Sequence, residues 1–164
     1  MVVKFNAFEI FEIAEKIERN GAKFYRKAAE LFDDSRTRNV FLQLAEWETA
    51  HEQIFADMRN ELSAQGPELR TFELENNVVF DAQSMAGLAV FGNRMGPYEE
   101  LTGEEGIADI LKIALEKEKD SIVFYTGLRA FIPVTAGQDK IGDIIREEMH
   151  HIRILNQSLE WRYL

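Results

Sequence analysis

The chain has 164 residues, 46% of them apolar, enough for one domain with a hydrophobic core, expected to span residues 1–164. It contains no cysteine, which excludes disulfides, cysteine-ligated zinc, iron–sulfur clusters and an iron–cysteine electron-transfer module. Its formal charge of −10 argues against nucleic acid or an anionic membrane as a partner.

Met1 to Asn6 lacks a basic segment followed by a long apolar run, so no signal peptide is read there. The longest apolar stretch, near Met85 to Phe91, is too short to span a bilayer, and a cytoplasmic location is expected.

The spacing predicts a first helix from Asn6 to about Phe32. Phe11, Ala14, Glu18, Gly21, Tyr25, Ala28 and Phe32 recur at steps of three and four, the seam of a bundle helix. Asn6 is a candidate N-cap. Asp33-Asp34-Ser35 breaks the pattern, and Asp34 or Ser35 is placed to cap the next helix. A second helix is read from about Arg36 to Leu62, with Phe41, Leu44, Glu48, His51, Phe55, Met58 and Leu62 on one stripe. The short connection predicts an antiparallel hairpin.

Ser63 to Gly106 is rich in breakers at both ends, with a short helix expected between Val78 and Phe91. A segment this long inside one domain suggests a crossover that sets the third helix parallel to the second. Val79, Phe80, Met85, Leu88, Val90 and Phe91 give it more apolar surface than a solvated crossover needs, so a homodimer is expected. The third helix runs from about Ile107 to Phe131, before Pro133, with Leu111, Ala114, Glu118, Ser121, Tyr125 and Leu128 in line. The fourth runs from about Gln138 to Trp161, with Ile141, Ile144, Glu148, His151, Leu155 and Leu159 in line. The fold class is therefore all-α: an antiparallel four-helix bundle with one long crossover, residues 63–106, between helices two and three.

The two halves repeat. Adding 100 to Glu48 and His51 gives Glu148 and His151, and Glu18 with Tyr25 maps onto Glu118 with Tyr125. Each half thus offers a lone Glu and a Glu-x-x-His, whose members share a helix face one turn apart. Four ionised carboxylates on converging apolar seams are expensive to bury. Rotating the seams would expose Phe41, Leu44, Phe55 and Ile144, and no Lys or Arg lies on a seam to pair with the carboxylates. Two divalent cations match four carboxylates in charge, and two imidazoles complete the ligand set. Mixed nitrogen and oxygen ligation suits iron, manganese or zinc. The expected metal ligands are Glu18, Glu48, His51, Glu118, Glu148 and His151. Tyr25 and Tyr125 lie two turns from the lone Glu of their helices and suit hydrogen bonds that orient a ligand carboxylate. Glu147 and His150 fall off the seam and read as outer-face residues. Trp47 and Trp161 carry no evident role.

Over its whole length the chain resembles the ferritin-like di-iron and di-manganese carboxylate proteins. Glu18–Tyr25, Leu44–His51 and Glu118–Tyr125 resemble the rubrerythrin-like branch. The resemblance implies two iron ions and an oxidoreductase that reduces peroxide, or O₂, with electrons from an external donor. It departs from that branch in lacking the iron–cysteine module, and an extra Glu of the third helix is absent, Leu115 and Ser121 standing at that spacing. Ferroxidase and iron storage, as in bacterioferritin, remain an alternative, as does a non-catalytic structural or regulatory protein holding zinc.

Overall fold

The structure is a computed structural model, and it describes residues 7–64, 101–132 and 134–161. Helix α1 spans Ala7–Glu30, α2 Ser35–Ala64, α3 Ile107–Phe131 and α4 Gln138–Glu160, with a 3₁₀ turn at Val134–Ala136. Asn6 and the segment Val78 to Phe91, with its expected helix and dimer surface, lie outside the described residues.

Local chemistry accounts for the breaks. Thr37 N–H donates to Asp34 Oδ2 at 2.9 Å, and Arg38 N–H to the Asp34 carbonyl, so Asp34 caps α2. Ile132 is extended, as the residue before a proline must be, and ends α3. Gly137 turns the chain into α4 at φ +98°, a region that favours glycine.

The stripes read from the sequence are the buried faces. Phe11, Ala14, Phe41, Leu44, Phe55, Leu111, Leu128, Ile141, Ile144 and Leu155 are at most 1% exposed. Each large one contributes about 1.5–3 kcal/mol on burial, which holds the seams in register. The packed apolar residues form two clusters. One joins Ile10, Phe11, Phe55, Met58, Phe124, Leu128, Ile141 and Ile144. The other joins Phe24, Ala28, Phe41, Leu44, Ile110, Leu111 and Leu155. The first therefore unites the start of α1 and α4 with the end of α2 and α3, and the second unites their opposite ends. This makes α1–α2 and α3–α4 antiparallel hairpins and sets α3 parallel to α2, as the crossover reading expects. Between the clusters lies a polar layer at mid-helix.

Candidate metal centre

That polar layer is built from Glu18 on α1, Glu48 and His51 on α2, Glu118 on α3, and Glu148 and His151 on α4. All six are buried, between 0% and 5% exposed. The structure brings them together in two overlapping groups. Glu18, Glu48, His51 and Glu148 form one, Glu48, Glu118, Glu148 and His151 the other, and within each group one ligand atom per residue lies within 4.8 Å of the rest. Glu48 and Glu148 belong to both. The imidazoles stack, with centroids 5.5 Å apart and planes inclined by 19°.

His51 Nδ1 is 2.9 Å from Glu148 Oε1 and 3.4 Å from Glu18 Oε2. His151 Nδ1 is 3.0 Å from Glu148 Oε2, 3.2 Å from Glu48 Oε1 and 3.5 Å from Glu118 Oε2. These lengths would suit hydrogen bonds, but the directions do not. Glu18 Oε2, Glu48 Oε1, both Glu148 oxygens and both Nδ1 atoms make no hydrogen bond with acceptable geometry. Buried polar atoms are rarely left so. Two ligand atoms each about 2.1 Å from one ion would be about 3.0–3.4 Å apart. The donor chemistry, the spacing and the unbonded atoms all fit a pair of divalent metal ions.

Two of the remaining oxygens are held from outside. Tyr25 O–H donates to Glu118 Oε1, and Tyr125 O–H to Glu18 Oε1. Each tyrosine thus crosses to the lone Glu of the other half rather than serving its own helix. His51 Nε2–H donates to Glu147 Oε2 at 2.8 Å. In the neutral ring this leaves the lone pair on Nδ1, the atom facing Glu18 and Glu148. The outer-face reading of Glu147 is therefore incomplete: its side chain is 55% exposed, yet its carboxylate reaches inward to anchor a buried imidazole. Trp47, which the sequence left without a role, lies flat on His151, with centroids 5.2 Å apart and planes inclined by 10°. His150 is exposed and touches Trp47. Positions 47 and 147 are counterparts in the repeat, and each meets the histidine of the opposite half. The repeat offset was the signal that could have marked them.

Without metal the centre holds protons. Burial raises the pKa of Glu18, Glu48 and Glu118, and the neighbouring carboxylates raise it further. Burial alone would lower that of His51, but the close carboxylates of Glu148 and Glu18 outweigh it, and His51 is pushed up to about 12. His151 is raised for the same reason by Glu118, Glu148 and Glu48. Burial acts to raise Glu148 too, but Glu118, His151 and His51 surround it and hold it below the usual carboxylate range.

A buried carboxylate outside the centre shows how this chain neutralises an acid without metal. Glu15, 4% exposed, lies off the seam and meets Arg59, with Nε 2.6 Å from Oε1 and Nη2 donating to Oε2 at 3.0 Å. The central carboxylates make their close ion pairs with the two histidines instead.

No family model and no curated protein matches the sequence. Among solved structures the chain is similar to a Thermotoga maritima protein provisionally described as a ferritin-like diiron-carboxylate protein. The two are 22% identical with a TM-score of 0.69, over 96% of each chain. The likeness establishes a ferritin-like fold. Among the described residues no helix is long and apolar enough to cross a membrane.

Proposed function

We propose that this chain binds two metal ions, iron in the first instance, at its mid-helix layer and is an oxidoreductase that reduces peroxide with electrons from a separate donor. The observation that carries the metal reading is the convergence of buried, unbonded carboxylate and imidazole atoms on two overlapping points. The choice of iron is supported by the description of the Thermotoga maritima neighbour. The choice of peroxide rests on the likeness of Glu18–Tyr25, Leu44–His51 and Glu118–Tyr125 to rubrerythrin-like proteins. Two bound iron ions would each supply one electron, the pair that reduction of a peroxide requires.

The protein's own part follows from the geometry. Glu48 and Glu148, common to both ligand groups, would hold the two positions together, with Glu18 and Glu118 each serving one. Tyr25 and Tyr125 fix the outer oxygens of Glu118 and Glu18, so the inner oxygens stay directed at the centre. Glu147 fixes the tautomer and plane of His51. The apolar clusters on both sides keep bulk water away, which strengthens every charge interaction between them. With no cysteine in the chain, the electrons come from a partner protein or a small reductant.

The test is metal analysis of protein prepared without oxygen, then addition of peroxide to the iron-loaded, reduced protein. Peroxide should be consumed at about one equivalent per site and then stop until a reductant is supplied. Oxidation by O₂ far faster than by peroxide would favour an oxidase or ferroxidase, and a many-subunit particle would favour storage. Zinc as the native metal, or no reaction with either oxidant, would end the enzyme reading.

A further inference from the structure

The centre is not equally enclosed on all sides. A narrow cleft between α1 and α3 is lined by Gly21, Phe24, Tyr25, Glu48, Lys117, Glu118 and Ser121. Its free volume is about 10 Å³, the scale needed to admit one water-sized molecule. Small residues make this space. A Cβ at Gly21 would overlap Glu48 Oε2, so the glycine lets that carboxylate lie close against α1 at the cleft. Ser121, the counterpart of Gly21 in the repeat, stands one turn beyond Glu118. Residual exposure follows the cleft: Glu48 is 5% and Glu118 3% exposed, whereas Glu18, His51 and Glu148 are 0% and His151 is 1%. The far side is closed by Trp47 lying on His151 and by the bond from His51 to Glu147. The cleft lining carries one cation, Lys117, half-buried, with Nζ 5.4 Å from the Phe24 ring centroid.

Resting on the metal reading above, we propose that this cleft is the port by which a small anion reaches the metal position of Glu48, Glu118, Glu148 and His151, with Gly21 and Ser121 setting its size limit. The position of Glu18 and His51 is the sealed one. Lys117 raises the local concentration of anions at the mouth, and the low-dielectric walls focus its field. The ligand class is a compact anion with a narrow cross-section, of the kind represented by azide and hydroperoxide. Anions with branched or aromatic bodies are excluded.

The probe is azide, added to protein loaded with cobalt(II), whose visible absorption reports coordination without turnover. Azide should perturb the spectrum of one of the two cobalt ions, and pivalate should leave it unchanged. Ser121→Leu should weaken azide binding by about ten-fold or more, with cobalt content and melting temperature held, because the leucine fills the path. Lys117→Gln should weaken it less and flatten its dependence on salt. Azide binding as tight in Ser121→Leu as in the unaltered chain, or pivalate binding as readily as azide, would overturn the port. Should the leucine variant fail to fold, the azide–pivalate comparison on the unaltered protein decides. A chain that takes up cobalt but no azide loses the port and keeps the metal centre, and one that takes up no cobalt loses both.

Discussion

Glu48 and Glu148 occupy the same place in two copies of one motif, yet their surroundings differ. Glu148 faces both imidazoles, while Glu48 meets His151 and borders the α1–α3 cleft. Such distinctions lie beyond periodicity. A seam pattern reports which face of a helix is buried, and on that basis the burial of all six candidate ligands and both tyrosines was legible. It does not report how far a side chain from the neighbouring face can reach. Glu147 is one position off the seam and still hydrogen-bonds His51, because a glutamate spans the gap that helix geometry leaves. Two predictions belong at this scale. His51→Ala should lower metal content, while His150→Ala should not, as read by metal analysis. Equal loss in both would place α4 in the wrong register. Glu147→Gln keeps an acceptor for Nε2–H but removes the charge, and should weaken metal affinity by roughly 10–100-fold in a competition titration. An unchanged affinity would make Glu147 a bystander.

At the scale of the helix, composition and breakers located the four long helices of the described residues to within two residues, because long amphipathic stripes are the strongest local signal. The ends depend on single side chains. Asp34 rather than Ser35 caps α2, a choice the sequence left open. Asp34→Ala should therefore destabilise the fold by about 0.5–2 kcal/mol in chemical unfolding, and a smaller loss for Asp34→Asn would identify the hydrogen bond as the cause. The parallel course of α2 and α3 was legible from the length of the connection between them. The off-seam pair Glu15–Arg59 was not, since a buried acid on a helix flank looks like any other charged surface position.

For the whole molecule, the two apolar clusters supply stability and the layer between them opposes it when metal is absent. The raised carboxyl groups Glu18, Glu48 and Glu118, and the raised His51 and His151, make the folded, metal-free chain hold more protons than the unfolded one. Their contribution is full below the ordinary carboxyl range for the acids, and below ordinary imidazole values for the histidines. It is lost as pH rises, for His51 up to about 12. Glu148 works in the opposite sense, and its contribution fades only as pH falls below the carboxyl range. Metal-free protein should therefore melt highest in mild acid and progressively lower towards alkaline pH. Metal displaces those protons, so the stabilisation on loading should be larger near about pH 8 than near about pH 6, with protons released on binding. Calorimetry at the two pH values checks this; a loading effect that shrinks with pH would contradict it.

The most direct measurement is the metal content of the chain reconstituted without oxygen and freed of loosely bound ions. The account predicts about two ions per chain in the unaltered protein. It predicts a clear loss from both positions in Glu48→Ala, which strips a residue common to both groups, with helical content preserved. A folded chain that retains no metal, or a Glu48→Ala variant that retains as much as the unaltered chain, would contradict it.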